Sequence, residues 1–201
     1  MRELRTILDE NSFVNDLNEK LMKGAVIAFV TDTVWGLGCL PTSKEGVDKI
    51  YEIKGRDRSK PLILMSDNFI KLTPFIKEFP ATGQYLADLY SPGALTLVVE
   101  KSHRTPDFIT ANKNTVGIRV PNNDFFRKLC SKIVGGVLAT TSANLSNQPS
   151  SKTYEEAVNS IGKYVDYVFE DYGCECKGKE STVVLVEEES YKVLRQGSII
   201  L

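Results

Sequence analysis

Apolar residues in this chain recur at two spacings, and the alternation between them outlines a fold. Phe13, Leu17 and Leu21 stand four apart, which predicts a helix over residues 12–23 that stops at Gly24. Ala25-Val26-Ile27-Ala28-Phe29-Val30 is then apolar without a break, the pattern of a strand buried on both faces. The polar turn Thr31-Asp32-Thr33 leads to Trp35-Gly36-Leu37-Gly38. Ser43 is placed to cap a helix carrying Val47, Ile50, Tyr51 and Ile53, and Gly55 to end it. Residues 61–65, 94–99, 115–120 and 136–140 read as further strands, and about 124–132 as a helix after Pro121. Thr153-Tyr154-Glu155-Glu156 has the capping-box pattern that opens a short helix, and strands over 165–169, 181–186 and 191–194 follow. Helices and strands alternate early and strands dominate late. The expected fold class is therefore α/β, a twisted mixed β-sheet flanked by helices, and residues 1–201 are expected to form a single domain.

Composition changes this picture little. A hydrophobic fraction of 42% and a charged fraction of 25% are ordinary for a soluble globular protein. The net charge of -1 weighs against a broad electrostatic nucleic-acid surface, while leaving room for a local basic groove. The start, Met1-Arg2-Glu3-Leu4-Arg5-Thr6, lacks the apolar stretch of a signal peptide, and no run approaches the length of a membrane span. A cytoplasmic location without membrane contact is expected. Cys39, Cys130, Cys174 and Cys176 make no Cys-x-x-Cys pair, and the Cys174-Glu175-Cys176 triplet reads as free thiols in a loop. His103 is the single histidine, which rules out a two-histidine metal site; its surroundings read as an exposed loop.

Chemistry gathers in two clusters. Lys54, Arg56, Arg58 and Lys60 crowd the loop after the second helix, beside Asp57, as a compact anion receptor. Neither Gly-x-x-x-x-Gly-Lys-[Ser/Thr] nor Gly-x-Gly-x-x-Gly is present, so phosphate would be held by side chains: guanidinium forks and a mobile ammonium. Thr140-Thr141-Ser142-Ala143-Asn144 places hydroxyls and an amide at the end of a buried strand, where they need partners. Each cluster also has a plain structural reading, as a solvated loop at a helix C-terminus and as a capped turn. Arg119, inside Val116-Gly117-Ile118-Arg119-Val120, either points to solvent or grips a carboxylate.

Taken in order, six segments carry a resemblance. They are 30–38, the Lys-x-Arg of Lys54 and Arg56, Ser91-Pro92-Gly93-Ala94-Leu95-Thr96, Ser142 with Asn144, 178–184, and Leu194-Arg195-Gln196-Gly197. Together they resemble the YrdC/TsaC family, the threonylcarbamoyl-AMP synthases of the tRNA t6A pathway, over about residues 24–199. Val30 and Trp35 depart from the residues usual there, and Met65 stands where some longer relatives carry a histidine. The chain matches the short, single-domain form.

The resemblance implies a YrdC-like sheet with a concave basic ligand cavity. It implies formation of threonylcarbamoyl-AMP and pyrophosphate from L-threonine, bicarbonate and ATP for tRNA t6A37 modification, a nucleotidyl transfer. By similarity, Lys54 and Arg56 are the catalytic candidates. With Lys60, Thr115, Ser142, Asn144, Ser150 and Arg195 they would bind ATP, while Thr33, Arg119, Thr140 and Ser181 would bind threonine. Mg2+ would arrive with ATP and not in a dedicated protein cage. The product would pass to a downstream tRNA threonylcarbamoyl transferase, and weak tRNA or double-stranded RNA binding is a further expectation. Residues 173–179 read as a mobile loop. Two other functions stand beside this one: a double-stranded RNA or tRNA-binding module without catalysis, and a carbamoyl transferase that handles carbamoyl-adenylate.

Overall fold

The structure, a computed structural model, describes residues 4–201; the charged residues 1–3 used against a signal peptide lie outside them. In chain order the elements are α1 (Asn11–Met22), β1 (Ile27–Phe29), β2 (Gly36–Cys39), α2 (Lys44–Lys54), β3 (Ile63–Ser66), α3 (Ala81–Tyr90), β4 (Leu95–Glu100) and α4 (Asp107–Thr110). They continue with β5 (Thr115–Arg119), α5 (Asp124–Lys132), β6 (Val137–Ser142), α6 (Tyr154–Ile161), β7 (Tyr167–Val168), β8 (Thr182–Val186) and β9 (Tyr191–Arg195). All nine strands join one sheet in the order β7-β1-β2-β6-β3-β5-β4-β8-β9. The β7/β1, β3/β5 and β4/β8 pairs are parallel and the others antiparallel, so the sheet is mixed as expected. Among the described residues no helix is long and apolar enough to cross a membrane.

The register decides which residues share a face. Gly117 lies opposite Ile63 on one side and Val98 on the other, Ile63 opposite Thr140, and Gly36 opposite Ser142. Side chains alternate along each strand, so Ser142, Thr140, Ile63, Met65, Arg119, Thr115 and Val98 project from the same face. The other face takes Leu37, Leu64, Leu97, Val116, Ile118, Ala139 and Val184, all buried in the core. One face is thus apolar and closed, and the other is polar and partly open.

Local signals explain the elements that frame the open face. Ser43 caps α2 by accepting from the Gly46 N–H at 3.0 Å, and Gly55 ends it in the left-handed region at φ 57°. That reversal turns Arg56 back toward the sheet. Thr153 caps α6 by accepting from the Glu156 N–H, but the Glu156 carboxylate accepts from Lys152, one residue earlier than a capping box requires. Two elements differ from expectation. β2 is a strand despite Gly36 and Gly38, because the Phe29 ring packs where side chains would stand: a Cβ at Gly36 would lie 2.5 Å from it. α3 runs through Gly83 and hides a narrow stripe of Gly83, Leu86 and Ala87, leaving Tyr85 and Leu89 exposed.

Candidate active site

The open face of the sheet forms the floor of a cavity of about 580 Å³, within the range of small-molecule sites. Nine of the twelve expected site residues line it: Thr33, Arg56, Lys60, Thr115, Arg119, Thr140, Ser142, Ser181 and Arg195. Gly36 and Gly117 keep the floor low, and Ile63, Met65, Val98 and Val183 give it apolar patches. Lys113 adds a fifth cationic side chain, and Glu180 is the carboxylate among the lining residues.

At one end Arg119 is 2% exposed and bonded through all three of its nitrogens. Its Nε donates to Gly93 O at 2.9 Å, Nη1 to Thr33 Oγ1 at 2.8 Å, and Nη2 to Asp32 Oδ1 at 2.6 Å. The partners come from the turn after β1 and the loop after α3. A buried guanidinium needs such an ion pair, and three of its five N–H groups are spoken for. Beside it, Ser181 Oγ and Thr96 Oγ1 share a buried hydrogen bond at 2.8 Å, and Thr140 Oγ1 donates to Ile63 O at 3.2 Å. The hydroxyls of Thr33, Thr96, Thr140 and Ser181 thus line the same cavity as the arginine.

At the other end the charges are less committed. Arg56 donates from Nε to Lys60 O (3.2 Å) and from Nη2 to Pro61 O (3.1 Å), which fixes the guanidinium and leaves three N–H groups free. Arg195 rests on Ser181 O through Nε at 3.2 Å and Nη2 at 2.9 Å. The Lys60 ammonium has no ion-pair partner among the described residues. Arg56 and Arg195 are close enough to repel one another, an arrangement that an anion would relieve.

Lys54, Asn144 and Ser150 do not line the cavity. Lys54 is expected among the phosphate-binding residues, and here its ammonium is turned to the backbone and side chain of the turn after β6. The Lys54 ammonium is 3% exposed and gives its three protons to Ser142 O (2.6 Å), Asn144 O (2.6 Å) and Asn144 Oδ1 (2.9 Å). Burial, reinforced by the charge of Arg56, pushes its pKa down to about 7. Asn144 is equally occupied: its amide donates to Leu145 O and Gln148 O, and its oxygen accepts from Ser142 Oγ at 2.6 Å. Ser150 Oγ donates to Glu180 Oε1 at 2.8 Å. These three residues shape the walls around the lining groups.

Asp32, Gly93, Thr96 and Glu180 belong to this network but were not among the expected site residues. Asp32 and Thr96 read as turn and strand residues in sequence, and only the pairing of distant elements gives them a task. The 173–179 loop is tied down: the Cys176 thiol donates to Thr33 O at 3.0 Å, Gly178 N to the same oxygen at 2.7 Å, and Lys177 N to Asp32 O at 3.3 Å. Cys174 and Cys176 are free and half-buried, and His103 is exposed. Among the described residues no three ligating side chains converge on a metal position.

This fold belongs to a defined group. A family model described as "Telomere recombination", Sua5/YciO/YrdC, matches residues 19–197, and the chain belongs to that family. A Vibrio cholerae protein named threonylcarbamoyl-AMP synthase is 33% identical over 181 residues, 89% of this chain and 94% of that protein. The crystal structure of Pyrococcus abyssi Sua5 complexed with L-threonine superposes with a TM-score of 0.84 at 32% identity. That match covers 94% of this chain and 55% of the archaeal one, so this chain spans a little over half its length. Escherichia coli YciO shares the fold at a TM-score of 0.81 and 24% identity, over 94% of this chain and 90% of that one.

Proposed function

We propose that the protein is an L-threonylcarbamoyladenylate synthase, a nucleotidyltransferase acting in the cytoplasm as a single YrdC-like domain. The observation that carries this reading is one cavity with two unlike ends. An ion-paired arginine bonded to a threonine hydroxyl stands at one and Arg56 with Lys60 at the other, while Arg195, held against Ser181, is close enough to act on the charges of both arginines. The first suits a small amino acid held by its carboxylate, the second a polyphosphate. The relatives' shared name and the threonine in the archaeal structure support the same assignment.

In this reading the amine of L-threonine and bicarbonate lose water to form a carbamate. Its oxygen attacks the α-phosphorus of ATP and pyrophosphate leaves. Arg119, Thr33, Thr140 and Ser181 hold threonine, with Arg119 on the carboxylate. Arg56, Lys60 and Arg195 hold the phosphates and neutralise the charge that grows on the leaving pyrophosphate. Thr115 and Ser142 line the nucleotide path. Lys54, Asn144 and Ser150 position it from behind. The exposed His103 is far from such a task, and catalysis rests on positioning and charge. The lining set offers one carboxylate, Glu180, already bonded to Ser150, so Mg2+ fits as a companion of the ATP phosphates. Bound there, it would neutralise phosphate charge. The product would serve a tRNA-modifying transferase.

Pyrophosphate release from ATP, with L-threonine and bicarbonate each supplied or withheld, tests the proposal. Release that requires both is expected. ATP binding with no release under any combination would overturn it. Nothing in the cavity favours an RNA-binding module or a carbamoyl transferase.

A further inference from the structure

Asp32 lines no part of the cavity, yet its carboxylate sits 2.6 Å from the Arg119 guanidinium, with side-chain exposures of 10% and 2%. The turn that carries it is held from several sides. Thr31 Oγ1 donates to Val34 O at 2.6 Å and accepts from Thr33 N at 3.2 Å. From the opposite side, the 176–178 segment donates to the backbone oxygens of Asp32 and Thr33. A carboxylate on so fixed a mount dictates where its partner lies.

Neutralising a charge does not by itself require that rigidity. Buried ion pairs add little net stability, because desolvation offsets the attraction, so a pair kept at this position calls for a positional account. Arg119 ends a long stem of single bonds. Its two other partners, Gly93 O and Thr33 Oγ1, are neutral acceptors, so of the three Asp32 alone brings an opposite charge to the guanidinium. With these three bonds made, one N–H on each terminal nitrogen remains.

We infer that Asp32 is a positioning residue for the amino-acid substrate: it locks the Arg119 guanidinium so that those two N–H groups meet the substrate carboxylate. The inference rests on the assignment of Arg119 to threonine proposed above. A second consequence follows from charge. The Arg119–Asp32 pair is neutral, so the site offers directed hydrogen bonds and not a bare buried cation. An amide in place of the Asp32 carboxylate keeps an acceptor oxygen at that position while removing the counter-charge, so it separates the positional contribution from the charge.

Threonine and ATP titrations of pyrophosphate release, run on the full chain with a thermal-unfolding control, separate the cases. Asp32→Ala is expected to raise the threonine KM about 10-fold or more and to leave the ATP KM within about twofold, while Asp32→Asn stays within about threefold for threonine. If Asp32→Ala fails to fold, Asp32→Glu takes its place; it keeps the charge but carries it one methylene further, and the same threonine-specific rise is expected. An unchanged threonine KM in that variant, equal rises for both substrates, or an Asn variant as impaired as the Ala or Glu variant would each overturn the positioning role. A wild-type protein with no threonine-dependent release would overturn the synthase reading itself, and the inference with it.

Discussion

Lys54, at the end of α2, grips Asn144 twice: its ammonium lies 2.6 Å from the backbone oxygen and 2.9 Å from the side-chain amide oxygen. A third bond to Ser142 O completes a bracket around the turn after β6. Lys54→Met keeps the aliphatic stem but strips Asn144 O of its donor, while Ser142 O keeps the Asn144 N–H and Asn144 Oδ1 keeps the Ser142 hydroxyl. One buried, unsatisfied acceptor costs about 1–3 kcal/mol, so a loss of about that size is expected. Chemical denaturation checks it. In a double-mutant cycle with Asn144→Ala, the two losses should fall well short of adding. Strict additivity would show that the bracket carries no shared energy.

The same lysine gives a pH signature. Its folded pKa is pushed down to about 7, whereas an unfolded lysine titrates near 10.4. Between those values the unfolded chain binds the extra proton, so this residue's contribution to stability rises with pH there and is flat below pH 7. The gap in unfolding temperature between wild type and Lys54→Met should therefore widen in favour of wild type from pH 7 to 9. A gap that stays constant would mean the ammonium keeps its proton across that range.

Arg56 is tied to Lys60 O and Pro61 O, and its remaining N–H groups face the cavity. Lysine at this position keeps the charge but loses the planar fork, and it cannot satisfy both carbonyls and an anion together. Arg56→Lys should fold normally and lose about 100-fold or more in kcat/KM for ATP. An unchanged rate would remove Arg56 from the reaction.

Parts of this were legible in the chain. The run 115–120 announced its two faces, with Val116, Ile118 and Val120 in the core and Arg119 opposite. Ser43 and Gly55 marked the ends of α2, and α5 matched the spacing of its apolar residues over Asp124–Lys132. β2 was hidden because a strand built on Gly36 and Gly38 takes its side chains from Phe29, a neighbour across the sheet. The site residues were readable as types, while their directions were not. Asp32 and Arg119 lie 87 positions apart, and Lys54 and Asn144 90 apart, so sheet register alone decides that they meet. Local spacing holds no record of such encounters.

Gly197 shows how closely the C-terminal segment is fitted to the site. A Cβ there would lie 2.3 Å from the Ser181 carbonyl carbon and 2.4 Å from Glu180 O, both backbone atoms that cannot swing aside. The approach is held by Gly197 N donating to Thr182 Oγ1 at 3.0 Å, and by Arg195 resting on Ser181 O two residues earlier. Gly197→Ala must push the 195–199 segment away from Ser181, displacing a lining hydroxyl and a lining guanidinium at once. Overpacking of this kind costs about 1–3 kcal/mol. The variant should melt lower and need more of both threonine and ATP, because Ser181 is assigned to threonine and Arg195, bonded to it, to the phosphates. Gly162→Ala is the control: Gly162 ends α6 at φ -56°, and its added methyl would meet Val158 no closer than 3.4 Å. That change should leave stability and both substrate requirements as they are. If the two variants behave alike, the contact between Gly197 and Ser181 is not what shapes this wall of the cavity.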